Sequence, residues 1–349
     1  MTAPVNHLEQ LAILQIDFDI WSGQVKLDDP DLKLGVGGEL PPKELVELGR
    51  KYVINKAHLK PFNRLKTKAR RLCLSRGMSF MNGFAVPIQT IDQISAELDK
   101  IADEMNDLKA NFLANYDQWI DEWETKNPEY AQAIRAGALP KAVVTKRIGF
   151  DYQVFQVNPV NEIQSKKLNT MAAGLAGELM SEIVDEANSF FHSSLKGKES
   201  CQSNTQKTLK RICDKVDGLS FLDSRFLSVV ELLNKTISGY AGYGKVVDGE
   251  QFYRILSATL ILSSPDKIKD YAEGTVDLDV MANSFMSDSS DDMSIEQHEN
   301  VSDDTPNQKH DNVVPLELAE TSVPDELPDE DDIDMFFRKH VANGDGMFF

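Results

Sequence analysis

The chain has 349 residues and carries 56 Asp and Glu against 37 Lys and Arg, which gives a formal net charge of −19 at pH 7. Its three cysteines are odd in number and far apart, which argues against a disulfide framework and favours a reducing compartment, by default the cytoplasm. The sequence has no 18-residue apolar run and does not begin with a basic, apolar leader. We therefore expect neither secretion nor a membrane partner.

The first segment reads as a strand followed by a turn. Apolar and acidic residues alternate from Ile16 to Ile20, and Ser22-Gly23 then offers a turn before a second short apolar alternation. This pattern predicts a small β-hairpin within an N-terminal segment, 1–40. Pro42 next favours the first turn of a helix that we expect to run to about Ala57.

The next segment is strongly cationic. Between Leu48 and Ile91 there is no acidic residue and there are ten Lys and Arg. A helix is predicted from about 62 to 76, ended by Gly77, with four candidate binding residues on it, namely Arg64, Lys68, Arg71 and Arg76. Three interpretations stay open for this helix: a solvated face beside acidic neighbours, a nucleic-acid contact, or an acidic partner such as the chain's own tail.

Helical periodicity dominates the rest of the body. Apolar residues spaced alternately by three and four occur at Ile91, Ile94, Leu98, Ile101, Met105, Leu108 and Phe112. They predict a coiled-coil-like helix over about 88–124, followed by apolar stripes over 168–190 and 209–237 and an apolar helix over 252–262. The fold class is therefore mainly α, an antiparallel helical bundle filling a body of residues 41–272. A homo-oligomer formed through the coiled coil is the alternative.

Motifs that carry chemistry are scarce. Gly239 to Lys245 fits the spacing of a phosphate-binding loop, but Val246 stands where magnesium needs a hydroxyl, and a predicted helix precedes it where a strand is required. The six histidines do not lie at zinc-ligand spacing from one another or from a cysteine. We therefore predict no catalytic residue, no metal and no cofactor.

The C-terminal part is an acidic tail. Residues 277–349 hold 20 acidic and 3 basic residues, which predicts a disordered docking arm. Two acidic stretches in it end in apolar residues, and these are the tail's docking candidates: Met335, Phe336, Phe337, Met347, Phe348 and Phe349. The alternative is that a short helix over 331–341 folds back on the body.

The run from Pro61 to Gly77, followed by Phe80-Met-Asn-Gly-Phe-Ala-Val-Pro87, resembles the bacterial family catalogued as domain of unknown function 3150. The likeness extends from about Leu11 to Leu262, and Asn82-Gly83 stands where two glycines are expected. Its motifs look structural, so no catalytic residue is implied. The resemblance implies a cargo protein of plasmids, integrative elements and phages, often beside a MoxR-type AAA+ ATPase and a von Willebrand A-domain protein.

Two hypotheses follow. In the first, the chain is a non-enzymatic adaptor whose tail docks on a protein partner, for which the resemblance suggests the ATPase or the von Willebrand A-domain protein. In the second, it binds nucleic acid through the helix at 62–76, and the tail limits non-specific contact.

Overall fold

The computed structural model describes residues 7–27 and 49–291. The predictions for the acidic tail beyond residue 291, including the helix at 331–341, lie outside the described residues. Within the described ranges, the chain forms eight strands and ten α-helices. The first half of the chain forms β1 (Leu11–Asp19), β2 (Gln24–Lys26), β3 (Arg50–Tyr52), α1 (Lys60–Arg76), β4 (Met78–Phe80), β5 (Gly83–Pro87), α2 (Ile91–Lys126), α3 (Ala131–Gly137), α4 (Lys141–Thr145) and β6 (Gly149–Phe155). The second half forms α5 (Glu162–Phe190), β7 (Ser200–Gln202), α6 (Gln206–Gly218), α7 (Arg225–Ser238), β8 (Val246–Asp248), α8 (Gly249–Leu262), α9 (Pro265–Ala272) and α10 (Leu278–Asp291).

A four-stranded antiparallel sheet lies at the centre, in the order β4-β5-β1-β6. β1 pairs with β5 on one side, with Leu14 opposite Phe84, and with β6 on the other, with Ile16 opposite Tyr152. The predicted N-terminal hairpin is therefore wrong, because β2 pairs with β3 instead of β1. Alternation fixes which face of a strand is buried, but it does not fix the partner strand.

The predicted helix from Pro42 to Ala57 is also wrong over its described part. Residues 50–52 form β3, and a 3₁₀ turn runs from Lys56 to Leu59. Asn55 caps that turn, since its side-chain oxygen accepts a hydrogen bond from the Ala57 N–H at 3.0 Å.

The sheet separates two hydrophobic cores. Leu11 and Ile13 of β1 are buried against α5 to α8, whereas the alternate residues Ala12 and Leu14 are buried against α1 and α2. Side chains of a strand point to opposite faces in turn, so these four consecutive residues are all buried. The body was predicted to be a single antiparallel bundle. The structure corrects this to a central sheet with one helical layer on each face.

The predicted long helix is confirmed as α2, but its apolar seam is satisfied within the chain. The residues of this seam pack against α1 and the sheet. Helix α1 runs antiparallel to α2: at its start Phe62 contacts Phe112, with ring centroids 5.7 Å apart. At its end Arg76 donates to Gln93 Oε1 at 3.0 Å. A seam of this spacing therefore requires no second copy for its burial.

The second layer contains α5 to α10. The stripe predicted over 209–237 forms two helices, because the chain turns at Asp223, whose carboxylate accepts from the Arg225 N–H at 2.9 Å. Residues 278–291 fall within the predicted disordered tail, yet they form α10, with Leu278 and Ala282 buried and Arg254 paired to Asp279 at 2.9 Å. The prediction of disorder is wrong for these residues. In the described ranges, no helix is both long enough and apolar enough to span a membrane.

Candidate partner-binding surface

The cationic helix predicted from the sequence is α1, and its two ends follow from local chemistry. Pro61 lies in its first turn, where the missing N–H costs nothing. Its last residue is Arg76, and the Gly77 N–H closes the helix on the Cys73 carbonyl at 2.9 Å. Gly77 has φ −144°, so it is not needed for a left-handed cap. It is needed for space, since a Cβ there would lie 2.4 Å from the Ala85 carbonyl oxygen.

One side of α1 presents a row of exposed cations. Lys60, Arg64, Lys68 and Arg71 are spaced by four, four and three residues and therefore share one face, which is about 16 Å long from end to end. The opposite side holds α1 in place, because Phe62, Leu65, Ala69 and Cys73 are buried. We call these four cations the α1 basic face.

The cations of this face differ in their partners. Lys68 pairs with Glu104 of α2 at 2.6 Å, and both side chains are about half exposed. Arg64 and Arg71 have no carboxylate within 4 Å among the described residues, so their guanidinium groups face solvent. The interpretation as a solvated face beside acidic neighbours therefore accounts for Lys68 but leaves two arginines with free donors.

Arg76 does not belong to the α1 basic face. It lies twelve residues beyond Arg64, which places it about 120° further round the helix. Its guanidinium is half-buried and donates to Gln93. Of the four predicted residues, the structure brings together Arg64, Lys68 and Arg71 and assigns Arg76 to the contact between α1 and α2.

More cations precede the helix. Lys26 of β2 stands opposite Arg50 of β3, and both are exposed, as is Lys56 just before α1. On the flank of α1, acidic residues of α2 meet the Lys side chains. Lys100 first, and Lys68 more weakly, hold the pKa of Glu97 below its usual value. This part of the molecule therefore has an acidic helix beside a basic one, a pattern suited to charged partners.

The three cysteines offer no nucleophile. All are buried and free, and burial raises the pKa of the Cys73 thiol to about 12 and that of Cys213 to about 11. Thiols in such environments stay protonated and unreactive. Among the described residues, no group of three or more His, Cys, Asp and Glu could hold a metal ion.

Sequence reasoning missed a charged contact between α5 and α6. Lys215 is almost fully buried and pairs with Glu182 at 2.5 Å, and Arg211 pairs with Glu186 at 2.9 Å. Burial raises the pKa of Glu186 more than Arg211 lowers it. The signal was present in the sequence, because two acids four residues apart on one helix match two bases four residues apart on another. These pairs fix the register of α5 on α6.

The segment that matches phosphate-loop spacing is not a phosphate loop. It follows α7, as predicted, and begins as a 3₁₀ turn over Gly239–Gly242. A Cβ at Gly239 would lie 1.9 Å from Oε1 of the buried Gln251 and would displace the amide that donates to the Thr236 carbonyl. Tyr240 of this segment is buried, and its hydroxyl lies 3.0 Å from the Thr205 hydroxyl.

The six tail candidates, Met335 to Phe337 and Met347 to Phe349, lie outside the described residues.

Residues 8–264 match the family model described as "Protein of unknown function (DUF3150)". No curated protein and no solved structure matches the chain significantly.

Proposed function

Because the chain belongs to the DUF3150 family, whose model covers 8–264, we propose that it is a non-enzymatic, cytoplasmic adaptor of a bacterial mobile element. Its body is the family domain, and its acidic tail is the arm that docks on a protein partner. The resemblance suggests a MoxR-type AAA+ ATPase or a von Willebrand A-domain protein as that partner.

The observation that carries the proposal is the composition of the tail. Residues 292–349 hold 16 acidic and 3 basic residues, and they contain Met-Phe-Phe twice, at 335–337 and at the C-terminus. An acidic stretch next to large apolar side chains suits a pocket that is apolar inside and rimmed by Lys or Arg. Burying one Phe contributes about 1.5–3 kcal/mol, so two Met-Phe-Phe groups supply most of the affinity, and the acids supply speed and selectivity.

The test is co-expression of the chain with the ATPase and the von Willebrand A-domain protein encoded beside it, followed by affinity purification with nuclease. Three forms are compared: the full chain, the chain ended after Asp291 so that α10 stays intact, and a full-length variant in which Phe336, Phe337, Phe348 and Phe349 are serine. We expect the partner with the full chain only. Because the serine variant keeps every charge, loss of the partner from the truncated form alone would assign docking to charge rather than to the aromatic residues. Equal recovery with all three forms would refute the docking arm.

A second candidate function is nucleic-acid binding by the α1 basic face, favoured by two exposed arginines that have no carboxylate partner in residues 7–27 and 49–291. A face about 16 Å long is long enough to reach several successive phosphates of one DNA strand. We expect Arg64→Gln with Arg71→Gln to weaken binding to a 20-base-pair DNA and to reduce the slope of log K against log salt by about 2. A matched variant, Lys207→Gln with Lys267→Gln, removes two exposed charges elsewhere. It should change the DNA affinity and the salt slope much less than the arginine variant does. Equal losses in both variants would show a general charge effect.

A further inference from the structure

The strand β6 is an open edge of the central sheet. It pairs with β1 on one side, and no described strand pairs with it on the other. It is seven residues long and contains no Pro or Lys, the residues that usually protect an edge. Its end is exposed, with Val154 37 % and Phe155 41 % accessible. An edge of this kind is a template for an added strand.

One hydrogen bond shows which backbone groups face outward. The Tyr152 N–H donates to the Oδ1 of Asp151 at 2.8 Å, so it points away from β1 and its own neighbour covers it. In an antiparallel ladder the backbone groups of alternate residues point the same way. The N–H and C=O groups of Phe150, Tyr152 and Val154 therefore form the open edge.

The two faces of the β1–β6 ribbon differ in chemistry. On the side of α2, Phe150 stacks on Phe18 with centroids 4.3 Å apart. On the other side α5 no longer covers the sheet, and Asp17, Asp19 and Asp151 are exposed. Asp17 stands directly opposite Asp151, an arrangement of like charges that disfavours pairing. A neighbouring strand that carries cations on this face would relieve that repulsion.

We propose that the β6 edge binds one extended segment of a partner protein, added antiparallel to the sheet, with Lys or Arg on alternate residues and apolar residues between them. The cations lie on the side of Asp17 and Asp151, and the apolar residues lie on the side of α2. A second copy of β6 would bring further carboxylates to the same face, and the chain's own tail is acidic, so the charge favours a basic partner over both. This site shares no residue with the α1 basic face or with the tail.

The test uses the full chain and fluorescently labelled peptides of alternating Lys and Val, with anisotropy as the readout. In such a complex, the peptide residues opposite Phe150, Tyr152 and Val154 place their side chains on the α2 side and are therefore Val. Their backbone N–H groups point toward β6, whereas those of the Lys residues point away from it. We expect N-methylation of the Val amides to weaken binding at least about tenfold, and N-methylation of the Lys amides to change it less than about twofold. A peptide with Glu in place of Lys should not bind.

Variants of the chain test the role of charge. Asp17→Asn with Asp151→Asn should weaken the Lys peptide about threefold to tenfold, since an exposed ion pair with Asp151 is lost together with the charge of Asp17 one strand further away. Asp103→Asn with Asp185→Asn changes the charge equally at exposed helical positions and should have less than about a twofold effect.

Two results would overturn the proposal. Equal binding of both N-methylated peptides, unaffected by Asp17→Asn with Asp151→Asn, would show that the acidic tail captures the peptide. A dimer of the full chain in sedimentation that dissociates on Val154→Pro would show that a second copy occupies the edge. Loss of the tail-dependent partner would not affect either readout, so the two proposals fail independently.

Discussion

Replacing Gly77 by alanine should destabilise the body strongly, because the new Cβ would lie 2.4 Å from the Ala85 carbonyl oxygen and 2.6 Å from Cγ1 of Val86. The first contact is with backbone, so no side-chain rotation relieves it, and the hairpin of β4 and β5 must move away from the end of α1. Overpacking of this kind costs about 1–3 kcal/mol, and we expect the upper part of that range. For a body of this size, that loss lowers the thermal midpoint by about 5–10 °C.

Replacing Gly174 by alanine serves as a matched control and should raise the stability instead of lowering it. Gly174 lies on the exposed side of α5, and a Cβ there would have no neighbour within 4 Å. Alanine at this position should stabilise the helix by about 0.5–1 kcal/mol, because it restricts the unfolded chain and favours helix. The assay is urea and thermal unfolding of both variants followed by circular dichroism. If Gly77→Ala left the midpoint unchanged or raised it, the close approach of α1 to β5 would be refuted.

Three further predictions concern the cores. Native protein should show no fast-reacting thiol toward a disulfide reagent at pH 8 and three in denaturant, because burial raises the pKa of Cys73 to about 12; one rapid thiol would contradict this. Burial raises the pKa of Glu186 above its ordinary value of 4.5, so the folded state binds the carboxyl proton more tightly than the unfolded state. The free energy of unfolding should therefore fall as the pH rises from 4.5 through the pKa of Glu186 in the folded state. Glu186→Gln should flatten that part of the stability-against-pH curve, and an unchanged slope would refute the assignment. Leu98→Ala should cost about 2–5 kcal/mol in unfolding without changing the sedimentation coefficient, whereas Lys100→Ala should cost little; a change of oligomeric state would restore the coiled-coil interpretation.

The long helices could be predicted from the sequence because their signals are local. α1 begins within two residues of its predicted start, next to Pro61, and ends as predicted before Gly77. The apolar spacing of α2 defines its buried face directly, since Ile94, Leu98 and Ile101 are all buried. Its packing was predicted only in part, because an apolar face of this period packs equally well on a helix, here α1, and on a sheet.

The pairing of the strands could not be predicted in the same way. β1 and β6 are joined only in three dimensions, and neither strand's own residues specify the other. The break at Asp223 was missed because apolar spacing continues through it. Helical spacing alone places Arg64, Lys68 and Arg71 on one face and Arg76 off it, whereas the contact of Arg76 with Gln93 requires knowledge of where α2 lies.

The position of β1 has a consequence for synthesis of the chain. Its four buried residues, Leu11 to Leu14, complete both cores, yet the last strand they need begins at Gly149. At typical rates of translation, the ribosome takes on the order of ten seconds to add those residues. During that interval β1 can pair with β5 on one side, but its other side stays without β6. We therefore expect the β6 side of β1 to be exposed on the nascent chain, where a chaperone can bind it before the sheet closes.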